Sequence, residues 1–188
     1  MHYKNILNKY YEEGTALLDL LLTHSEMVAR KALDVAEAAK LNIDKDFVYQ
    51  AAMLHDIGIF KCDASGIYCY GTEPYIRHGI IGGELLRQEG ADEAYARVCE
   101  RHTGSGLTAK EIAETGMPLP HMDFLPETLE EKLICYADKF FSKSGDPREE
   151  KSLDRVRKSM AKFGPDSLAR FDALHALFND QSKASLKT

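Results

Sequence analysis

Apolar residues recur along the chain at spacings of three and four, the period of a helix with one buried stripe, and no stretch shows the strict alternation of a half-buried strand. Thr23-His24-Ser25-Glu26 has the pattern of an N-terminal capping box, and Val28, Ala32, Val35 and Ala39 continue from it as one helical face. His24 is therefore expected in the first turn of a helix. Asp44 or Asp46 caps a second helix with the stripe Phe47, Ala51 and Leu54, and Gly58 stands where a terminator belongs, so that His55 and Asp56 close this helix. Pro74 and Gly90 bracket a third, which holds His78 beside Ile81, Gly82 and Leu85. Its three glycines, Gly79, Gly82 and Gly83, would each weaken an isolated helix by roughly 1 kcal/mol relative to Ala, which points to close approach of another backbone. Asp92 opens a fourth helix, with Ala91, Tyr95, Val98 and Cys99 on one face, that ends on His102.

Two connections stand out between these periodic segments. One, rich in Gly, Cys and Tyr, runs from about Phe60 to Thr72; the other is marked by Pro118, Pro120 and Pro126. From Pro126 to about Ser142 the pattern is helical again (Leu129, Leu133, Ala137, Phe140). A further helix carries Val156, Met160 and Phe163 and breaks at Gly164-Pro165 before a last one. The polar run Ser182 to Thr188 reads as a tail, and His2 as part of a mobile terminus. The expected fold is all-α, a compact helical bundle forming a single domain over 1–188, with its core at about 23–142 and C-terminal helices at about 148–180.

A length of 188 residues suits one domain with its own core, and 44% hydrophobic with 29% charged residues is a globular composition. The run Ala16 to Leu22 is too short for a bilayer and carries Asp19, so a membrane location is not expected. The net charge of −6 repels a nucleic-acid backbone and argues against a polymeric DNA or RNA partner. Cys62, Cys69, Cys99 and Cys135 show no CxxC spacing and read as reduced thiols of a cytoplasmic protein, with Cys99 and Cys135 in the core.

The chemistry lies in histidine and aspartate. A carboxylate at Asp56 faces the negative end of its helix, an unfavourable placement of roughly 0.3–1 kcal/mol that a cation would reverse. Asp138 interrupts the apolar helix of Leu133, Ile134, Ala137 and Phe141, and needs either a lysine partner such as Lys139 or a metal. Each histidine taken singly is a hydrogen-bonded core residue; converging from separate helices with the two aspartates, they form a site suited to Mn, Fe or Zn.

Leu54-His55-Asp56-Ile57-Gly58, preceded by His24 and followed by Tyr136-Ala137-Asp138-Lys139, resembles the HD-domain (HDIG-type) metal-dependent phosphohydrolase superfamily over about Thr23 to Ser142. The resemblance implies that His24, His55, Asp56 and Asp138 ligate a divalent ion, with His55 and Asp56 at the catalytic centre. His78-Gly79 and Arg101-His102-Thr103-Gly104 are similar to the extra histidines of two-metal branches, among them dinucleoside-polyphosphate hydrolases and cyclic-di-GMP phosphodiesterases. In those branches Asp56 would bridge both ions; otherwise His78 and His102 would only hydrogen-bond substrate phosphate. Lys61 does not follow Gly58 directly and Thr103 replaces a second histidine after His102, which disfavours the cyclic-dinucleotide branch.

The implied cofactor is one or two divalent ions of Mn, Fe, Zn, Ni, Co or Mg. The implied reaction is hydrolysis of a phosphoester or phosphoanhydride of a nucleotide or other small phosphate compound by a metal-activated water. Lys61, Arg77, Arg101 and Thr103 are candidates for binding the phosphates, as are Lys139 and Lys143, each against the alternative of an ordinary solvated side chain. Tyr68, Tyr70 and Tyr75 either stack on a base or cover helix ends. His121 and His175 receive no role. A symmetric dinucleoside-polyphosphate hydrolase is the narrower alternative and a non-catalytic metal or nucleotide sensor the alternative of another class; the sequence leaves the oligomeric state open, a homodimer being the commonest outcome for soluble homo-oligomers.

Overall fold

A computed structural model describes residues 2–179 of the chain, so the polar run Ser182 to Thr188 lies outside the described residues. Within them the regular elements are helices, apart from one hairpin of two-residue strands. Regular structure begins earlier than the sequence pattern suggested. His2 caps α1 (Tyr3–Tyr10), its Nδ1 accepting from the Lys4 amide at 3.3 Å, and Tyr3, Ile6 and Leu7 are buried. The N-terminus is thus tied down by its apolar face.

α2 (Ala16–Ala38) also starts earlier than expected, capped by the Thr15 hydroxyl. Leu18, Leu21, His24, Ser25, Val28, Ala32 and Ala36 form one continuous buried stripe, so the helix propagates straight through Thr23-Glu26 and the capping-box pattern there caps nothing. His24 consequently sits in mid-helix. α3 (Lys45–Leu54) is capped by the Asp44 carboxylate, which accepts from the Phe47 amide at 3.0 Å. His55 and Asp56 follow it directly and lead into a 3-10 turn at Ile57–Lys61. β1 (Asp63–Ala64) and β2 (Cys69–Tyr70) then pair antiparallel, Asp63 opposite Tyr70. Strands of two residues are too short to show any alternation in sequence.

A 3-10 turn at Tyr75–Arg77 runs into α4 (His78–Gln88), so His78 opens this α-helix rather than lying inside it. α5 (Glu93–Arg101) is capped by Asp92 and ends on His102; α6 (Ala109–Thr115) and α7 (Leu129–Asp138) each begin with a complete capping box, Thr108 with Glu111 and Thr128 with Glu131. α8 (Leu153–Ala161) and α9 (Pro165–Asn179) complete the order. Phe163, expected on the stripe of α8, lies beyond its end and is 66% exposed.

α2 packs on α3 and α7, and α4 packs along α5 and the Ile57–Lys61 turn. The glycines make the second packing possible. A Cβ on Gly79 would lie 2.5 Å from the Cys99 carbonyl oxygen, and one on Gly58 would overlap the His78 carbonyl. Gly58 therefore serves close approach and not helix termination: its φ is not positive, and the helix has already ended at Leu54. α9 lays Phe171 against Tyr136 and holds the loop after α5, with Ser105 donating to the Ser167 carbonyl at 2.8 Å and Arg170 to the Gly106 carbonyl at 3.1 Å. Among the described residues no helix is long and apolar enough to cross a membrane.

Candidate metal centre

Five helices deliver six side chains to one buried point: His24 from the middle of α2, His55 and Asp56 from the end of α3, His78 from the start of α4, His102 from the end of α5 and Asp138 from the last position of α7. Three of the histidines share a local device. At a helix end the ring can fold back on its own chain, and Nδ1 of His55, His78 and His102 lies 2.6, 2.6 and 2.7 Å from the carbonyls of Ala52, Tyr75 and Cys99, each three residues earlier. A carbonyl only accepts, so Nδ1 carries a hydrogen in all three and Nε2 is the atom turned inward, a lone pair on the neutral rings of His78 and His102 and a ligand atom on His55 once it gives up its proton.

All of these Nε2 atoms converge on Asp56, and its two oxygens divide them. Oδ2 is 3.3 Å from His24 and 3.0 Å from His55, while Oδ1 is 3.3 Å from His78 and 3.4 Å from His102. Asp138 joins the first group through Oδ1, 3.0 Å from His24 and 3.5 Å from His55. Two sets result, His24-His55-Asp56-Asp138 and Asp56-His78-His102, both wholly buried and each with its donor atoms close enough to hold one metal ion.

The electrostatics distinguish the two sets. Burial opposes ionisation of Asp56, yet the His55 imidazole and the Lys143 ammonium, 2.5 Å from Oδ2, outweigh it and hold the carboxyl well below the usual range. Lys139, 2.7 Å from Oδ2 of Asp138, likewise keeps that carboxylate ionised against burial. Burial also disfavours charge on His55, but Asp56 and Asp138 push its pKa up to about 9. His78 has the opposite balance: burial drives it down to about 3 despite Asp56, and His102 is lowered by burial too.

This donor set fits a divalent ion. The Nε2 atoms of His78 and His102 stand 3.0 Å apart with both hydrogens on Nδ1, so two lone pairs face each other, an arrangement that a cation between them converts from repulsion to coordination. Among the described residues His55 Nε2 and Asp56 Oδ1 are buried without a hydrogen-bond partner, and both belong to these donor sets. Imidazole with carboxylate suits Mn, Fe, Co, Ni or Zn.

The model of the HD domain family matches residues 21–142, which contain all six side chains. The chain belongs to the HD domain family. That places it in a superfamily of metal-dependent hydrolases. The chain is similar to a protein of Picrophilus torridus named tRNA (cytidine(56)-2′-O)-methyltransferase, 36% identical over 66% of this chain and 32% of that one. A protein of the same name from Thermoplasma volcanium is 31% identical over 87% of this chain and 44% of its own length. The chain thus spans less than half of either relative. An uncharacterized protein of Methanocaldococcus jannaschii is 32% identical over 89% of this chain and 90% of its own. No solved structure matches the chain.

Beside the HD cluster lies a cavity of about 530 Å³ that reaches Asp138 and is lined by Lys139, Lys143 and Lys151. The basic residues flanking His78 and His102 do not line it. Arg77 is held by Glu73 at 2.8 Å and the Pro118 carbonyl at 3.0 Å; Arg101 by Glu127 at 2.8 Å and the Leu125 carbonyl at 2.6 Å. Lys61 is exposed, and Thr103 contributes its carbonyl to the Gly106 amide. Neighbours on a helix point about 100° apart, so adjacency to His78 and His102 does not bring Arg77 and Arg101 to this cavity. Of the three tyrosines only Tyr75 stands at the site, stacked on the His78 ring with centroids 4.7 Å apart; Tyr68 and Tyr70 border a different hollow with Tyr10 and Phe60. Lys151 had no motif to reveal it, since it lies beyond the region that resembles the family.

Proposed function

We propose that this chain is a metal-dependent phosphohydrolase that cleaves a phosphoester or phosphoanhydride of a nucleotide or other small phosphate compound. The division of Asp56 carries the reading: one carboxylate oxygen faces each histidine pair, so that Asp56 would belong to both donor sets if each held an ion. His24, His55 and Asp138 would hold one ion and His78 with His102 the other. When bound, such ions acidify a water molecule and polarise a phosphoryl oxygen. The chain itself fixes the tautomers of three ligands through the Ala52, Tyr75 and Cys99 carbonyls. It sets the Lys139 and Lys143 ammonium groups on the cavity side, where they offset the charge of a phosphate.

Methyl transfer on tRNA, in the names of two relatives, belongs to chains more than twice as long as the part they share with this one, and the buried histidine-aspartate set supports hydrolysis instead. The test is product analysis after incubating Mn²⁺-supplemented protein with mononucleotides, dinucleoside polyphosphates and cyclic dinucleotides. Turnover that is lost both with chelator and in Asp56→Ala supports the proposal, and release of two nucleoside diphosphates identifies the symmetric dinucleoside-polyphosphate hydrolase. Retained metal with no turnover across the panel overturns the nucleotide reading in favour of a sensor or of a phosphate ester outside nucleotide metabolism.

A further inference from the structure

The cavity beside Asp138 has a wall that the family match does not reach. Residues 21–142 supply part of its lining, Ile67, Tyr75, Asp138 and Lys139 among them, whereas Lys143, Ser144, Lys151, Ser159, Met160 and Phe163 lie beyond the matched residues. Lys139 and Lys143 have carboxylate partners in Asp138 and Asp56. Lys151 has none within ion-pairing distance among the described residues. Its Nζ donates to two neutral acceptors, the Phe141 carbonyl at 2.9 Å and the Lys139 carbonyl at 3.4 Å, while the side chain is partly withdrawn from water. An ammonium so placed favours an anion arriving through the cavity. Beside it Met160 is buried, and Phe163 presents a ring that is 66% exposed at the cavity wall, an apolar face that a ligand can cover.

We propose that Lys151 and the Met160-Phe163 wall form a selectivity subsite for a compact phosphate ester with one flat apolar group, of the size of a nucleoside 5′-monophosphate. Lys151 pairs with a phosphate oxygen and Phe163 covers the flat group. Tyr75 and Ile67 line the same cavity and supply further apolar surface for that group. The inference rests on reading the histidine-aspartate cluster as the hydrolytic centre.

Calorimetric titration of Mn²⁺-loaded protein with inorganic phosphate and with the non-hydrolysable 5′-phosphonate analogue of adenosine monophosphate tests it, with metal content measured on every variant. The wild type should bind the analogue at least about ten-fold more tightly than inorganic phosphate. Lys151→Met should weaken both probes by about ten-fold or more, with Lys151→Arg restoring phosphate binding, because a charge-assisted hydrogen bond is lost and regained. Phe163→Ala should weaken the analogue by about ten-fold and leave inorganic phosphate unchanged. Wild-type affinities for both probes in Lys151→Met, or an unchanged preference for the analogue in Phe163→Ala, would overturn the subsite. Binding as expected with no turnover of any phosphate would sink the hydrolase reading and leave the subsite standing.

Discussion

Substituting Gly58 by alanine separates packing from conformation at the centre of the motif. Its backbone is not left-handed, so alanine can adopt it, and the obstacle is steric alone. The new methyl group would overlap the His78 carbonyl oxygen and lie 2.6 Å from the Gly82 nitrogen and 3.1 Å from the Ile81 Cβ. The two nearest atoms belong to the backbone of α4 and cannot turn aside as a flexible side chain would. Restoring ordinary contact distances requires a shift of α4 by about 1 Å. Overpacking of this kind costs about 2 kcal/mol, which for a chain of this size lowers the melting temperature by about 4–8 °C. His78 opens α4, so the same shift carries its Nε2 away from Asp56 Oδ1. Misplacement by about 1 Å can cost on the order of 100-fold in rate. Thermal melting and metal analysis of purified Gly58→Ala should show both the lower melting temperature and fewer metal equivalents per chain. Gly66→Ala is the control, since a Cβ there meets nothing within 4 Å and its φ is not positive; it should melt with the wild type. Equal melting temperatures and metal content in the two variants would refute the account of why glycine is needed.

Chelation should lower the melting temperature of the wild type, because an ion that binds only the folded chain stabilises it by mass action, and should leave Asp56→Ala unmoved in a melting scan with and without chelator. Burial pushes the thiols of Cys62, Cys69 and Cys135 up to about 11 from an ordinary value of 9.0. The unfolded chain therefore loses these protons first, so stability conferred by the neutral thiols is complete below pH 9 and declines between pH 9 and 11, as denaturant titrations across that range should show. The native thiols should likewise resist iodoacetamide at pH 8 and react once the chain is unfolded. Tyr11→Phe removes the buried hydroxyl that donates to the Ile57 carbonyl at 2.7 Å and should cost about 1–3 kcal/mol by leaving that carbonyl unpaired, measured by denaturant unfolding.

The helical character of the chain, some helix ends (the Asp44 cap of α3, the Asp92 cap and His102 end of α5, the break at Gly164-Pro165) and the six histidine and aspartate side chains of the cluster were legible in the sequence because each is a local property. Period, capping residues and the misplaced charges of Asp56 and Asp138 are all read within a few positions. The closeness of α4 was legible too, since Gly79 and Gly82 weaken a helix without local compensation, and the Cys99 backbone and side chain account for them. The start of α2 was not: a capping box at Thr23 and an apolar run before it are both locally acceptable, and burial of Leu18 and Leu21 against the rest of the core decided in favour of the longer helix.

The directions of side chains across elements were decided by tertiary structure alone. Nothing near Asp56 in sequence divides His24 and His55 from His78 and His102 between its two oxygens; that follows from the angles at which α2, α4 and α5 meet the end of α3. Arg77 and Arg101 adjoin site histidines in sequence but turn to Glu73 and Glu127, while Lys151, far along the chain, reaches the cavity because the segment after α7 folds back on it. Sequence determined which groups were available and which of them needed a partner. Packing determined which partners they met, because a charge interacts through space with whatever the fold brings near it.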